Sequence, residues 1–372
     1  MLLHLTTLDP WRRALAAEHF GADQVHSSGF LHLSTPAQVT IPANALFRDV
    51  GDLWLLVIDP SRLRAPLRWE PGGAPDDPPD MVFPHLYGPL EVAAVTAVVP
   101  YRRPGGDAYV EPRGLPGLPD LPARAVAMEL YVAMARSATV AQSGDGVAVH
   151  HPDFEFSWDH NRLLLPTAVT AAEAAELCRR GFPHRGHWTV CINGSVRSRV
   201  TEDYVAAGWN HSEELLMIAT AEPAPERVDA AAGIAVQQVS RRDLDALRIA
   251  TMRRYAPDIT ADRIQQMPDR AETTASVCRL LHLAVLDGDA PVAQLDLRIV
   301  GATAAIDDVA TDPPYEGRGY ASALVLAAIR AARAAGCDAV FLRADEDDWP
   351  RKLYERLGFT VEGTTHVFNR DL

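Results

Sequence analysis

Long apolar runs, lysine, paired cysteines and net positive charge are all scarce in this sequence, and each shortage excludes a class of function. No stretch approaches the roughly 20 consecutive apolar residues of a membrane span, although 48% of the 372 residues are hydrophobic. The opening "MLLHLTTLDPWRR" has no charged lead-in and meets Asp9 and Pro10 too early for a signal peptide. Cys178, Cys191, Cys278 and Cys337 lie far apart without paired spacing, which favours neither a zinc site nor a disulfide framework; no metal is expected. A formal net charge of −14 argues against nucleic acid or an anionic membrane as partner. The same charge suits a cationic substrate, or simple solubility. Lys352 is the single lysine, and with so many alanines the arginine bias reads as GC-rich coding rather than function. A cytoplasmic protein of two or three domains is expected.

What is present divides the chain. Residues 1–101 read as a small α+β unit: a strand in "LLHLTT", a helix from about Trp11, and strands in "FLHLS", "LWLLVID" and "LEVAAVTAVVPY". Residues 102–122 are dense in proline and glycine and read as a linker. Beyond it, "GHWTVCINGSVRSRVTEDYVAAGW" (186–209) lies without a gap on "GCDAVFLRADEDDWPRKLYERLGF" (336–359), at a constant offset of 150 residues. Each copy has a glycine, an apolar strand, a polar stretch, a helix bearing tyrosine, and Gly-aromatic at the helix exit, where a left-handed residue is often needed. The expected domains are 123–228 and 229–372, both α/β, with the first copy degenerate.

The second copy contains "TAAIDDVATDPPYEGRGYASALVLAAIRAARAA". It reads as strand, glycine turn and helix, a layout that offers backbone N–H groups and the positive end of a helix dipole to an anion. The turn supplies Gly317, Arg318 and Gly319, and Tyr320 and Ala321 open the helix. At the same offset the first copy reads "PTAVTA", with no glycine, so only the second copy is expected to hold a phosphate. Glu316 puts a negative charge at the lip of the turn. Backbone groups do not depend on that side chain, and a carboxylate can swing outward or cap a free N–H.

Glycine turn and downstream Tyr-x-x-x-Gly-Phe together resemble the GCN5-related N-acetyltransferases, whose acetyl-CoA motif runs Gln/Arg-x-x-Gly-x-Gly/Ala. Here it reads Glu316-Gly317-Arg318-Gly319-Tyr320-Ala321, departing at the first position. The resemblance implies a mixed-sheet acetyltransferase fold in tandem and acetyl-CoA as co-substrate. It further implies that the backbone of Val309, Ala310 and Thr311 pairs with the pantetheine arm, and that Tyr354 stands where members often keep a general acid. An asparagine common near the start of the late helix is replaced by Asp347. Asp308, beside the cofactor strand, is the expected base, with Asp307 the alternative because strand alternation allows only one of the two to face the cleft. Tyr204, the counterpart of Tyr354 in the first copy, is expected to be structural. The tandem copies suit an internal pseudo-dimer, and so a monomer.

In the N-terminal unit, "GFLHLSTPAQV" and "FPHLYGPLEV" set histidines beside apolar strand residues. His4, His32, Ser34, Thr35, His85, Tyr87 and Glu91 are expected to converge. "LLHLTT", "GFLHLSTPAQV" and "FPHLYGPL" resemble a small bacterial family known as domain of unknown function 952. That family has been compared with the ADP-ribosyltransferase fold, which implies a ligand site at His32, Ser34, Tyr87 and Glu91 for NAD or a similar nucleotide. The leading expectation is an N-acetyltransferase acting on an amine-bearing substrate. An NAD-using N-terminal domain and a non-catalytic acetyl-CoA sensor are the alternatives.

Overall fold

Apolar runs without alternation form strands covered on both faces, and the N-terminal unit is built on two of them. Its elements are β1 (Leu2–Thr6), α1 (Leu8–Ala17), β2 (His19–Phe20), α2 (Ala22–Ser28), β3 (Leu31–His32), α3 (Thr40–Leu46), β4 (Leu53–Ile58), β5 (Leu67–Pro71), β6 (Val82–Leu86), β7 (Leu90–Glu91) and β8 (Val95–Tyr101). β1 and β4 are buried at every residue. They form the antiparallel sheet β1-β4-β8, beside two smaller sheets, β3-β6-β5 and β2-β7. α1 buries Trp11, Ala14 and Leu15, spaced to share one helix face. The computed structural model describes residues 1–72, 81–103, 108–182, 186–346 and 349–372.

Residues 108–120 contain no helix or strand, as their proline and glycine content dictates, yet they pack against the N-terminal unit. Tyr109 stacks on Tyr101 at 4.9 Å and donates its hydroxyl to the Val50 carbonyl at 2.8 Å. The next helix, α4 (Leu121–Ala135), is apolar around most of its girth and is buried accordingly. It packs on β8 on one side and on the large C-terminal sheet on the other. Its fully buried Arg124 donates to both Asp338 oxygens (2.5 and 3.2 Å) and to the carbonyls of Thr96 and Ala302, joining the two parts of the molecule. Gly301 completes this junction. Its φ is +62°, and a Cβ there would stand 2.0 Å from the Val95 carbonyl oxygen.

The remaining elements are β9 (Thr139–Ser143), β10 (Gly146–His150), β11 (Arg162–Leu165), α5 (Ala171–Gly181), β12 (His187–Asn193), α6 (Ser198–Ala206), β13 (Asn210–Ala219), α7 (Pro225–Ala231), β14 (Gln237–Val239), α8 (Asp245–Tyr255), α9 (Ala261–Gln265), α10 (Met267–Ala275), β15 (Arg279–Asp287), β16 (Ala290–Val300), β17 (Thr303–Thr311), α11 (Tyr320–Ala334), β18 (Ala339–Asp345), α12 (Pro350–Arg356) and β19 (Phe359–Asp371). Their strands form one mixed sheet in the order β14-β15-β16-β17-β18-β13-β19-β12-β11-β10-β9. At the 150-residue offset, β12 answers to β18, α6 to α12 and β13 to β19. The closing strands are exchanged: β13, from the first copy, pairs with β18, and β19, from the second, pairs with β12. β13 and β19 then pair antiparallel with each other from Asn210↔Asn369 to Ala219↔Phe359, giving the chain a pseudo-twofold centre. The part of the chain from β9 to β19 is thus a tandem α/β fold on a single sheet. Among the described residues no helix is long and apolar enough to cross a membrane.

Candidate active site

A parallel strand pair that separates leaves backbone groups unpaired, and β17 and β18 do this at the candidate site. They pair from Thr303↔Ala339 to Ile306↔Leu342. β17 then runs on against β16 alone as far as Thr311. The edge of Val309, Ala310 and Thr311 that points away from β16 therefore has no ladder partner among the described residues. A pantetheine amide has the right chemistry to fill such an edge.

Just before this edge the β16–β17 ladder is irregular. Asp296 pairs with Asp307 and Gln294 with Ala310, so two residues of β17 oppose Leu295 alone. Asp308 sits in this bulge with φ +52°, a backbone setting uncommon outside glycine. The bulge breaks the alternation of a regular strand: Asp307 and Asp308 both line a polar cleft behind it, and of the two Asp308 also lines the cleft beside the glycine turn, as expected of one of them. Asp307 is engaged by Arg298. The Asp308 carboxylate accepts from Gln294 Nε2 at 2.9 Å and faces Arg248 Nε at 3.1 Å. Its side chain is 43% accessible and lines two adjoining clefts. Burial by the cleft walls outweighs Arg248, and with Asp296 and Asp307 nearby its pKa is pushed up to about 7. A carboxylate poised near neutrality is suited to take a proton.

After β17 the chain turns through Gly317 (φ +75°) and Gly319 (φ +85°) into α11. The left-handed φ favours glycine at residue 319, and a Cβ there would also make a tight contact, 3.0 Å, with the Ala230 carbonyl oxygen of α7. Gly319 is the helix cap and offers no side chain, which leaves the first amides of α11, Tyr320 to Ser322, without helical partners. That cradle fits an anion. Glu316 is turned to Arg254 of α8, whose guanidinium donates to it at 3.0 Å. Arg318 is folded back, donating to the Pro314 carbonyl at 2.8 Å and lying 4.8 Å over the Tyr315 ring. The arginines that line the cleft beside the glycine turn are Arg227 and Arg254.

Tyr354 projects from α12, 7% exposed, with its ring edge-on to Phe359 at 6.1 Å. It lines the same cleft, about 500 Å³ in volume, as Asp308, Val309, Ala310, Thr311, Gly317, Gly319, Tyr320 and Ala321. Asp347 lies outside the described residues. In the first copy the corresponding helix start is already satisfied. Thr170 and Glu173 form a reciprocal cap on α5, and Asp203 accepts from the Ala171 amide at 2.8 Å. Tyr204 is fully buried, stacked on Phe368 at 4.0 Å, and its hydroxyl has no hydrogen-bond partner among the described residues.

A second cluster lies in the N-terminal unit. His32 and His85 are cross-strand partners on β3 and β6. Phe30 stacks on His85 at 4.1 Å and meets His32 edge-on at 4.8 Å. Glu70 accepts from Tyr87 (2.7 Å) and bonds His85 Nδ1 (2.9 Å), and these bonds hold its carboxyl below the usual range. Arg68 covers the Tyr87 ring at 4.5 Å. The carboxylate in this cluster is therefore Glu70 rather than Glu91, which sits on β7 opposite His19. The Ser34 backbone bridges to Leu3, and Thr35 bonds Gln38. His4 Nδ1 bonds the His32 carbonyl at 2.8 Å, and burial pushes its pKa down to about 4. Arg68 and Glu70 carried no signal in the sequence, because the β5–β6 pairing alone brings them here.

Comparison with known proteins follows the same division. Residues 5–98 match the family described as protein of unknown function (DUF952), and residues 245–359 match the acetyltransferase (GNAT) family. No curated protein matches the chain. Among solved structures, a functionally unknown conserved protein from Staphylococcus epidermidis is 14% identical at a TM-score of 0.50, over 64% of this chain and 95% of its own. That likeness supports the fold alone. A GCN5-related N-acetyltransferase from Kribbella flavida is 17% identical at a TM-score of 0.46, over 66% of this chain and 94% of its own. A protein from Caulobacter crescentus is 28% identical at a TM-score of 0.26, over 29% of this chain and 92% of its own. The two family matches thus fall on separate parts of the chain, GNAT at residues 245–359 and DUF952 at residues 5–98.

Proposed function

We propose that the protein transfers an acetyl group from acetyl-CoA to the amine of a small molecule, using the cleft between β17 and β18. One observation carries the reading. A carboxyl with a pKa near 7 (Asp308), a buried phenol (Tyr354), an open strand edge (Val309–Thr311) and an uncapped helix start behind two left-handed glycines all line a single cleft. Acetyl-CoA supplies the activated acetyl thioester. The amides at the start of α11, with Arg254 and Arg227 beside them, hold its pyrophosphate. The edge of β17 takes the pantetheine amides. Asp308 accepts the proton of the incoming ammonium, so that the free amine nitrogen is available to form the C–N bond. Tyr354 Oη gives its proton to the sulfur as the C–S bond breaks, and regains one from the nitrogen through solvent. The products are the acetamide, the free thiol and one released proton. The closing strands are exchanged within one chain, which supports a monomer.

The test is calorimetric titration with acetyl-CoA, followed by thiol release and mass spectrometry with a panel of amines. One site per chain is expected, because, of the two copies, the second starts its helix on an uncapped glycine, whereas α5 of the first is capped by Thr170 and Glu173. Two equivalent sites, or release of thiol without an acetylated amine, would count against the reading.

A further inference from the structure

A second cleft, about 350 Å³, shares Asp308 and Thr251 with the first and extends away from the glycine turn. One wall is built from β16 and β17. Others come from α8, from the α10 face bearing Met267, Arg270 and Thr274, and from Asp159 and His160 of the first copy. Five arginines and five aspartates line it. Four of the arginines are committed: Arg136 to Asp159, Arg241 to Asp245, Arg298 to Asp307, and Arg248 to Asp296 and Asp308. Arg270 is the fifth, and among the described residues no carboxylate pairs with it. Its Nε is buried without a hydrogen-bond partner. The carboxylate that acts on it most, Asp159, is already shared between Arg136 and Arg162. His160 beside it stays neutral, because burial and Arg136 push its pKa down to about 3.

A guanidinium taken from water without an anion is costly, and an incoming anion removes that cost. We propose that Arg270 is the carboxylate anchor of the acceptor, so that the substrate is an amine that also bears a carboxylate, of amino-acid or short-peptide size. This rests on the acetyltransferase reading of the neighbouring cleft. The carboxylate lies against Arg270 and the amine points to Asp308, at the mouth shared with the cofactor cleft. A single arginine among already neutralised pairs matches one negative charge, and its planar fork fits a carboxylate. A phosphate dianion would leave half its charge unmatched. The volume admits one small molecule and not a folded protein. The degenerate first copy thereby gains a role, since Asp159 and His160 complete the acceptor wall.

The experiment uses pairs of amines differing only in the carboxylate: phenylalanine and phenethylamine, leucine and isopentylamine, histidine and histamine, lysine and cadaverine. Steady-state rates are measured for the wild type and Arg270→Gln, with circular dichroism confirming the fold and calorimetry reading acetyl-CoA affinity. For at least one pair the wild type is expected to favour the carboxylate-bearing member at least tenfold in kcat/KM. Arg270→Gln should erase that preference through KM, leaving kcat and acetyl-CoA affinity nearly unchanged, and Arg270→Lys should restore part of it. Equal or better use of the decarboxylated amines, a preference that survives Arg270→Gln, or no turnover across the panel overturns the proposal. Calorimetry of the amino acids alone separates this failure from failure of the acetyltransferase reading. If acetyl-CoA does not bind, that reading falls, and tighter amino-acid binding to the wild type than to Arg270→Gln still decides the role of Arg270.

Discussion

Arg254 of α8 holds the Glu316 carboxylate at 3.0 Å across 62 residues of sequence, at the lip of the glycine turn. The acid that breaks the family pattern thereby competes with an incoming phosphate for an arginine that lines the same cleft. Both side chains are about half exposed, so the pair is solvent-screened and contributes little to folding. Its consequence is for binding. Glu316→Gln frees Arg254, and acetyl-CoA should bind more tightly, by no more than about tenfold, with the melting temperature unchanged. Arg254→Ala should weaken binding. Loss of binding in Glu316→Gln, read by calorimetry, would mean instead that the carboxylate organises the turn.

The pH dependence follows from Asp308. Its pKa is pushed up to about 7, chiefly by burial, with Arg248 opposing and Asp296 and Asp307 reinforcing the rise. The proton acceptor is the ionised form, so kcat/KM should rise with pH and level off above about 7. Asp308→Asn should abolish this acidic limb and most of the activity. Arg248→Met removes the cation that stabilises the carboxylate, so the limb should move to higher pH. A limb that stays in place in Asp308→Asn with activity retained would assign it to another group.

The junction between the two parts of the chain offers a stability test. At Gly301 an added Cβ meets both a left-handed backbone (φ +62°) and the Val95 carbonyl oxygen at 2.0 Å. Gly233 has φ +82° but open space where a Cβ would go. Gly233→Ala should therefore cost only the backbone term, about 1–2 kcal/mol. Gly301→Ala should cost more, because β8 must also move. Thermal denaturation of the two variants reads the difference, and equal melting temperatures would show that the junction yields freely.

Much of the second copy could be read in the sequence because its signals are local. "TAAIDDVAT" is β17 and the alanine-rich run is α11, since a strand-length run and a helical stripe need no distant partner to be recognised. The constant 150-residue offset likewise finds its match in β12 and β18, α6 and α12. The exchange of β13 and β19 was hidden, because either partner satisfies the same apolar pattern and sequence order favours the wrong one. The bulge at Asp308 was hidden for a related reason: two adjacent aspartates look like ordinary alternation until β16 is laid beside them one residue short. In the N-terminal unit "LEVAAVTAVVPY" reads as one strand, yet a turn at Val92–Ala94 divides it into β7 and β8. Glu70 and Arg68 needed the β5–β6 pairing before they could be connected with Tyr87.

Tyr354 and Tyr204 occupy matched positions in the two copies, and both are buried. Only Tyr354 lines a cleft with an open strand edge and an uncapped glycine start. Tyr204 is stacked on Phe368 and against Trp209, and its hydroxyl is buried without a partner among the described residues. A buried hydroxyl left unpaired is a cost, so Tyr204→Phe should leave turnover intact and hold or raise the melting temperature. Tyr354→Phe keeps the ring that meets Phe359 but removes the proton needed by the departing thiolate. Acetyl-CoA affinity and stability should hardly change, while kcat should fall by something like 10²-fold, with its high-pH limb altered. The comparison is internal, since one chain supplies both the test and its control. Equal turnover in the two variants on a true acceptor would reduce Tyr354 to packing and leave water or the substrate to protonate the sulfur.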